Sequence, residues 1–328
     1  MPGIGFWGLK HPHVFDLLRF AKQNGETLIT GAFEPDASYA EKAAGEFGRF
    51  YKSREELLND PAVDIVAIGD IYASRGREAI DALRHGKHVL TDKPLCTRAE
   101  ELEEIERLSR EKGLCVDCML DLRYDPALRL AARLISEGRL GEIHAVNFTG
   151  QHPLNYGTRA EWYFDGKSHG GTFNDLIIHG VDAVSYITGL TKLTVLHARN
   201  WNAFAKEKPL FRDCAQLLGK YENGAGLTAD VSYSAPSGSA FRLPSYWRFS
   251  FWGEKGMIEC SLGSENVLFA EAGKPIEHLA AEPIKENCLT DLIRMMKSES
   301  TYFDMESLFL STRTALEIQR RADEIRTV

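Results

Sequence analysis

Residues 86–95, Gly86-Lys-His-Val-Leu-Thr-Asp-Lys-Pro-Leu95, give the clearest local indication of the fold of this chain. Val89 and Leu90 predict a short buried strand, and Pro94 ends it because proline donates no hydrogen bond to a sheet. Proline also favours an extended conformation for the residue before it. Lys93 is therefore expected just past the carboxyl end of a strand, where open α/β sheets bind ligands. A solvated loop lysine is the alternative interpretation of this stretch alone.

Strands and helices alternate on both sides of this stretch over the first half of the chain, which predicts a doubly wound parallel sheet of the Rossmann type. Further on, the predicted strands follow one another too closely for crossover helices, so a second, open sheet should be mainly antiparallel. We predict an α/β domain at residues 1–121 and an α+β domain at 122–328, whose last helix packs back on the first domain. A loop is predicted from Ser234 to Pro244.

Composition and charge argue against several classes of protein. The chain has 328 residues and a formal charge of −8, which argues against a nucleic-acid partner because such binding needs a basic footprint. No apolar run is long enough to span a bilayer, and the first residues lack the basic and apolar regions of a signal peptide. Cys115 and Cys118 point to opposite faces of a predicted strand, so we expect all six cysteines to be reduced in a cytoplasmic protein.

The turn after the first predicted strand is Gly8-Leu-Lys-His-Pro-His13. A dinucleotide-binding fingerprint that starts at Gly8 has Lys10 and His13 at its second and third glycine positions. A frame that starts at Gly3 fails because only two residues precede it. The following helix still offers free N–H groups to an anion, and Lys10, His11 and His13 add positive charge.

Glu34 ends the second predicted strand, some way after the glycine turn. An acidic residue at this position accepts hydrogen bonds from an adenosine ribose and repels a 2′-phosphate, which favours NAD over NADP. An ordinary loop glutamate is the alternative. His11 and His13 also suggest a metal site, but the sequence identifies no third ligand, so no metal is predicted.

The predicted helix after Gly171 carries Asp175 and His179 one turn apart. A carboxylate and an imidazole at this spacing are a candidate catalytic pair, because the pKa of a free histidine lies near working pH. Three alternatives stand beside it: a solvated helix face, a structural histidine, and a capping box formed by Thr172 and Asp175.

Five blocks between residue 82 and about residue 260 carry recurrent motifs. They are Ala82-Leu-Arg-His-Gly-Lys-His-Val-Leu-Thr-Asp-Lys-Pro-Leu, Leu122-Arg-Tyr-Asp-Pro, Gly138-Arg-Leu-Gly-Glu-Ile, Gly170-Gly-Thr-Phe-Asn-Asp-Leu-Ile-Ile-His-Gly-Val-Asp and Trp252-Gly-Glu-Lys-Gly-Met-Ile-Glu. In this order they resemble the Gfo/Idh/MocA family, named for glucose–fructose oxidoreductase and inositol dehydrogenase. Asp92 stands where that family has glutamate.

The resemblance implies an oxidoreductase that moves hydride between NAD, less so NADP, and a secondary alcohol of a sugar, polyol or cyclitol. It implies catalytic roles for Lys93, Asp175 and His179, which would also contact substrate together with Arg123 and Trp162. Asp182 is similar to a family substrate-side position, with a structural role as the alternative. A homodimer or homotetramer through the second sheet is implied too.

The chain departs from the family pattern on the dinucleotide side, at the glycine turn and at Gly69-Asp-Ile-Tyr-Ala-Ser-Arg75. The predicted cofactor-binding residues are Gly8, Lys10, His11, His13, Glu34, Gly69, Asp70, Tyr72, Arg75, Asp92 and Lys93. Two alternatives stay open: an NAD-using glycosidase or epimerase without net redox change, and a binding or regulatory member of the family with reduced catalysis.

Overall fold

The computed structural model describes residues 1–238, 243 and 246–325. Most of the tip of the predicted loop from Ser234 to Pro244 therefore lies outside the described residues. The chain divides into two compact units. The first comprises Met1–Leu120, Lys167–Gly170 and Glu286–Thr312, and the second comprises Asp121–Gly166, Gly171–Lys285 and the chain from Arg313 onward. The segment Glu286–Thr312, which the sequence assigned to the second domain, thus belongs to the first unit.

The strands and helices follow in chain order. The strands are β1 (Gly3–Trp7), β2 (Leu28–Phe33), β3 (Ile65–Ile68), β4 (His88–Asp92), β5 (Val116–Met119), β6 (Ile143–Pro153), β7 (Leu193–Trp201), β8 (Cys214–Tyr221), β9 (Gly226–Ala235), β10 (Trp247–Gly253), β11 (Gly256–Ser261), β12 (Asn266–Glu271) and β13 (Glu277–Ala280). The helices are α1 (Val14–Asn24), α2 (Ala37–Lys42), α3 (Ala44–Phe47), α4 (Arg54–Asn59), α5 (Tyr72–Arg84), α6 (Ala99–Lys112), α7 (Pro126–Ser136), α8 (Gly166–His169), α9 (Ile178–Thr188), α10 (Cys288–Met296) and α11 (Met305–Ile325).

The sheet of the first unit has the order β2-β1-β3-β4-β5 over the described residues, and its neighbouring strands are parallel. This confirms the predicted doubly wound sheet. Ile65 to Ile68 of β3 have no exposed surface, as expected of a strand that helices cover on both faces. Because all strands run in one direction, the carboxyl ends of β1, β3 and β4 meet at one edge, where the predicted cofactor residues lie.

The second unit holds a sheet of order β13-β12-β11-β10-β6-β9-β8-β7 in the described part of the chain. The pairing of β6 with β9 is parallel and the other pairings are antiparallel, which confirms the mainly antiparallel prediction. Residues of β8 alternate between buried and exposed, so one face of the sheet is covered and the other is not. Helix α9 lies close to β6: a Cβ at Gly180 would come 2.1 Å from the ring of Phe148.

Two helical segments are irregular. The segment from Ala37 to Phe47 is interrupted at Ala43, whose φ and ψ of −101° and 3° lie outside helical values. The helix after Gly171 begins with a π-helical turn, Phe173–Ile177, before α9. The Thr172 hydroxyl donates to the carbonyl of Arg212 instead of capping this turn, so the capping-box interpretation of Asp175 is wrong.

Among the described residues, no helix is both long enough and apolar enough to cross a lipid bilayer. All six cysteines carry free thiols, as predicted, and Cys115 and Cys118 are both buried.

Candidate active site

Lys93 follows the last residue of β4, as predicted, and only 4% of its surface is exposed. Its Nζ atom lies 5.6 Å from the centre of the Tyr72 ring, so the ammonium group sits against an aromatic face. This burial contradicts the solvated-loop alternative. A buried ammonium beside the carboxyl end of a strand is placed to donate a hydrogen bond to a ligand.

Asp92, just before Lys93, is fully buried and has three charged or ionisable partners. Its Oδ2 atom accepts from Arg75 at 2.8 Å and lies 2.8 Å from Nδ1 of His11, while Oδ1 lies 3.0 Å from Nδ1 of His13. Burial opposes the charge of Asp92, but Arg75 and the two histidines outweigh it and hold the pKa of the carboxyl well below its usual range. Burial lowers the pKa of His11 to about 3, so its imidazole is neutral.

Arg75 braces this edge of the sheet from α5. Its guanidinium is fully buried and donates to the carbonyls of Asp70 and Asp92, at 2.9 Å each, and to the carbonyl of Lys93. The same group stacks 4.6 Å from the ring of Tyr72, which is 1% exposed. Arg75, Asp70 and Tyr72 therefore hold the loop after β3 and the end of β4 together, and their contact with a cofactor stays a prediction.

The turn after β1 requires glycine at its first position. Gly8 has φ of +76°, and a Cβ there would come 2.4 Å from Cβ of Asp70. Lys10, at the second glycine position, lies 3.2 Å from the Asp70 carboxylate, so a lysine–aspartate ion pair stands where the usual fingerprint has bare backbone. A Cβ at Gly69 would come 2.3 Å from Val14, so α1 packs directly against the end of β3.

Glu34 lies at the end of β2, where a ribose-binding acid was predicted. Its Oε2 accepts from the N–H of Leu9 at 2.6 Å, and its Oε1 accepts from the N–H of Asp36 at 2.8 Å. Burial raises the pKa of this carboxyl despite the two backbone donors. Glu34 thus ties the glycine turn to the second strand, and a ribose hydroxyl would have to share its oxygens with these donors.

Asp175 and His179 lie in the second unit, on the π-helical turn and the first turn of α9. Asp175 is fully buried, and its Oδ2 atom accepts from the hydroxyls of Tyr163, at 2.5 Å, and Tyr233. His179 is 9% exposed and its ring lies 5.5 Å from that of Trp247. This burial contradicts the solvated-face alternative. Neither tyrosine was predicted as a site residue: Tyr163 lies beside the predicted substrate residue Trp162, and Tyr233 is an inward-facing residue of β9.

Arg123 and Asp182 form a buried pair within the second unit. The guanidinium donates to both carboxylate oxygens, at 2.9 and 2.6 Å, and neither side chain is more than 2% exposed. This supports the structural alternative for Asp182, and a substrate contact by Arg123 stays a prediction. Trp162 lies on a 3₁₀ turn, Glu161–Phe164, with its ring 5.4 Å from that of Tyr163.

The structure places a third candidate ligand, Asp92, beside the two histidines. One nitrogen of His11, one nitrogen of His13 and one oxygen of Asp92 lie within 4.8 Å of one another. Spacing alone could not reveal Asp92 as a partner because 79 residues separate it from His13.

Both parts of the chain match models of known protein families. Residues 3–119 match the model of the oxidoreductase family with an NAD-binding Rossmann fold, and residues 128–259 match the GFO/IDH/MocA C-terminal domain. The chain is 30% identical over 216 residues to scyllo-inositol 2-dehydrogenase (NAD(+)) of Bacillus subtilis. This alignment covers 64% of the chain and 60% of the length of that enzyme, so it spans less than two thirds of the relative.

Two solved structures have the same fold over nearly all of the chain. One, from Erwinia carotovora atroseptica, has a TM-score of 0.88 at 24% identity and covers 98% of this chain and 99% of its own. The other, levoglucosan dehydrogenase in complex with NADH and levoglucosan, has a TM-score of 0.81 at 18% identity and covers 98% and 97%.

Proposed function

Because the chain belongs to the GFO/IDH/MocA oxidoreductase family, we propose that it is an NAD-dependent dehydrogenase acting on a secondary alcohol of a sugar, polyol or cyclitol. The observation that carries this proposal is the placement of Lys93, which is buried at the carboxyl end of β4 in an NAD-binding Rossmann unit. The substrate class rests on the relatives of the chain, which include dehydrogenases of scyllo-inositol, levoglucosan and D-xylose.

Two residues at the carboxyl edge of the first sheet, a glycine and a glutamate, suit the binding of a dinucleotide. Gly8 removes the side chain where a pyrophosphate needs close approach, and Glu34 stands at the end of β2 for the adenosine ribose. Lys10 adds a cation to the turn, although Asp70 pairs with it. NAD, when bound, supplies the acceptor for the substrate hydride.

The side chains of this protein handle the proton and the oxygen of the reacting alcohol. We assign His179 as the base that takes the hydroxyl proton, since imidazole is the usual group for this step at neutral pH. Asp175, held by two tyrosine hydroxyls, is the fixed negative charge one turn away that stabilises the imidazolium. Lys93 donates a hydrogen bond to the same oxygen and stabilises the negative charge that develops on it.

One observation favours a second candidate, a binding or regulatory member of the family. Lys10 and Asp70 form an ion pair within the altered glycine turn, and Arg75 is locked into contacts with the protein itself. A turn filled in this way would weaken dinucleotide binding. An enzyme that uses NAD transiently for glycoside cleavage or epimerisation is a further alternative, because it would use the same Lys93 and His179.

The test is a calorimetric titration of the cofactor-stripped protein with NAD and then NADP, followed by a screen of polyols and sugars for NADH formation. NAD binding with NADH formation supports the dehydrogenase. NADP preference would contradict the assignment of Glu34, and binding of neither would favour the regulatory candidate. Substrate turnover without NADH accumulation would favour the glycosidase or epimerase.

The predicted cytoplasmic location and the homodimer or homotetramer stay predictions. The exposed face of the second sheet supports an oligomer because it carries apolar residues such as Leu196, Leu218 and Trp252, each close to half exposed or more. Size measurement in solution would test it.

A further inference from the structure

The turn after β1 and the end of β4 bring two histidines and an aspartate together in the first unit. Nδ1 of His11 and Nδ1 of His13 both face the carboxylate of Asp92, at 2.8 and 3.0 Å. We propose that His11, His13 and Asp92 bind a divalent transition-metal ion. This proposal goes beyond the dehydrogenase function and does not depend on it.

The donor set selects the class of ion. Two imidazoles and one carboxylate are a ligand set for Zn²⁺ and for Fe²⁺, and three protein ligands leave positions open for water or a substrate oxygen. Mg²⁺ and Ca²⁺ prefer several oxygen ligands instead. Here Arg75 already neutralises the charge of Asp92, so a hard cation would find little net negative charge. We therefore expect zinc or cobalt to bind and magnesium not to bind.

Arg75 fixes the orientation of the Asp92 carboxylate. Oδ2 accepts from Arg75 and also lies 2.8 Å from Nδ1 of His11, while Oδ1 faces Nδ1 of His13. The guanidinium on Oδ2 holds the carboxylate plane so that each oxygen faces one imidazole. Arg75 thus acts as the outer partner that metal-binding carboxylates commonly have.

Tyr72 provides the outer partner of His11. Its Oη atom lies 3.1 Å from Nε2 of His11, the ring nitrogen that faces away from Asp92. Metal binding at Nδ1 requires the imidazole proton to sit on Nε2, and the Tyr72 oxygen accepts a hydrogen bond from it there. Contacts of this kind fix the tautomer and the orientation of a ligating ring.

An entry path exists through His13. Its side chain is 32% exposed, whereas those of His11 and Asp92 are 3% and 0% exposed. An ion can therefore reach the buried carboxylate past one partly exposed imidazole, and His13 can be replaced with less damage to the core than the other two ligands.

The experiment is a titration of the chelator-treated full chain with ZnCl₂, followed by calorimetry and by metal analysis after gel filtration. We expect one equivalent of zinc in the unmodified protein. His13→Gln should weaken binding by more than Tyr72→Phe, whose loss of an outer partner should cost about 10–100-fold. His85→Ala, an exposed histidine of the same unit, is the matched control and should bind zinc normally.

Cobalt separates this site from the six free thiols. Co²⁺ bound by imidazole and carboxylate gives visible d–d absorption without the ultraviolet thiolate-to-cobalt band. No zinc uptake, a thiolate band, or normal zinc binding by a His13→Gln protein whose melting temperature is unchanged would each overturn the proposal. Because no NAD or alcohol is present, these results are independent of the proposed dehydrogenase activity.

Discussion

The hydroxyl of Tyr233 donates a hydrogen bond to Oδ2 of Asp175, and the hydroxyl of Tyr163 donates to the same oxygen. The Asp175 side chain has no exposed surface. A buried carboxylate that loses one donor keeps its desolvation cost. We predict that Tyr233→Phe lowers the free energy of unfolding by about 1–3 kcal/mol. Under the proposed function it should also lower kcat, because Asp175 would hold His179 less firmly.

Urea unfolding and NADH formation with the screened substrate measure the two effects. Tyr156→Phe is the matched control, since that exposed tyrosine donates to the surface carboxylate of Glu207 at 2.9 Å. Its effect should be no more than about 0.5 kcal/mol. Equal stability and equal kcat for the two variants would show that Asp175 does not depend on Tyr233.

The type of sheet in each of the two units could be predicted from the sequence. The apolar run at Ile65 to Ile68 and the Lys-Pro stop after β4 are local signals, so their strands could be predicted from short windows. The grouping of Glu286–Thr312 with the first unit could not be predicted, because the packing of α10 on β5 is a long-range contact that no local pattern encodes.

The candidate site was predicted less completely for the same reason. Lys93, Asp175 and His179 stand in motifs that can be seen in the sequence. The partners of Asp92 and Asp175 cannot be seen there, because Arg75, His11 and Tyr233 reach them from distant parts of the chain. Burial of an arginine is also unusual, so the internal hydrogen bonds of Arg75 could not be expected from the sequence, whereas its predicted contact with a cofactor stays a prediction.

The free energy of unfolding should fall even when Arg75 is replaced by lysine, which keeps the positive charge. The guanidinium donates hydrogen bonds to Asp70, Asp92 and Lys93 at the same time. A lysine ammonium lacks the planar set of N–H donors that makes this possible. Leaving the buried Asp92 without its ion-pair partner costs about 3–5 kcal/mol. Arg75→Met should therefore lower the free energy of unfolding by that amount, and Arg75→Lys by part of it.

Chemical denaturation measures this loss. Arg77→Met on the same helix is the control, because the side chain of Arg77 is 70% exposed, and it should change the unfolding free energy by no more than about 0.5 kcal/mol. An Arg75→Met protein as stable as Arg77→Met would contradict the bracing role.

Glu78 should make stability depend on pH. Burial raises the pKa of this carboxyl well above its usual value of 4.5, and the neighbouring Asp70 raises it further. The folded state then holds a proton that the unfolded chain releases, so stability is complete below pH 4.5 and falls as pH rises toward the folded-state pKa. Glu78→Gln removes this penalty, so the variant should gain stability over the unmodified protein at pH 7 and show no such gain at pH 4.

Unfolding free energies at several pH values test the sign of this effect. Glu103→Gln, on the exposed side of α6, removes the same charge without touching a buried group and serves as the control. A Glu78→Gln protein that gains more stability at pH 4 than at pH 7 would show that the buried carboxyl is favoured in its ionised form.

Lys93 should affect turnover far more than cofactor binding. Its ammonium is buried against Tyr72 and is assigned to the reacting oxygen, so Lys93→Met removes a donor without changing the Glu34 end of the sheet. We expect kcat to fall by about 10²–10⁴-fold while the Kd for NAD, measured by calorimetry, changes little. Lys22→Met, an exposed lysine of α1 paired with Glu46, should leave both values unchanged. Full turnover in Lys93→Met would remove the lysine from the mechanism, whereas loss of NAD binding would assign it to the cofactor instead.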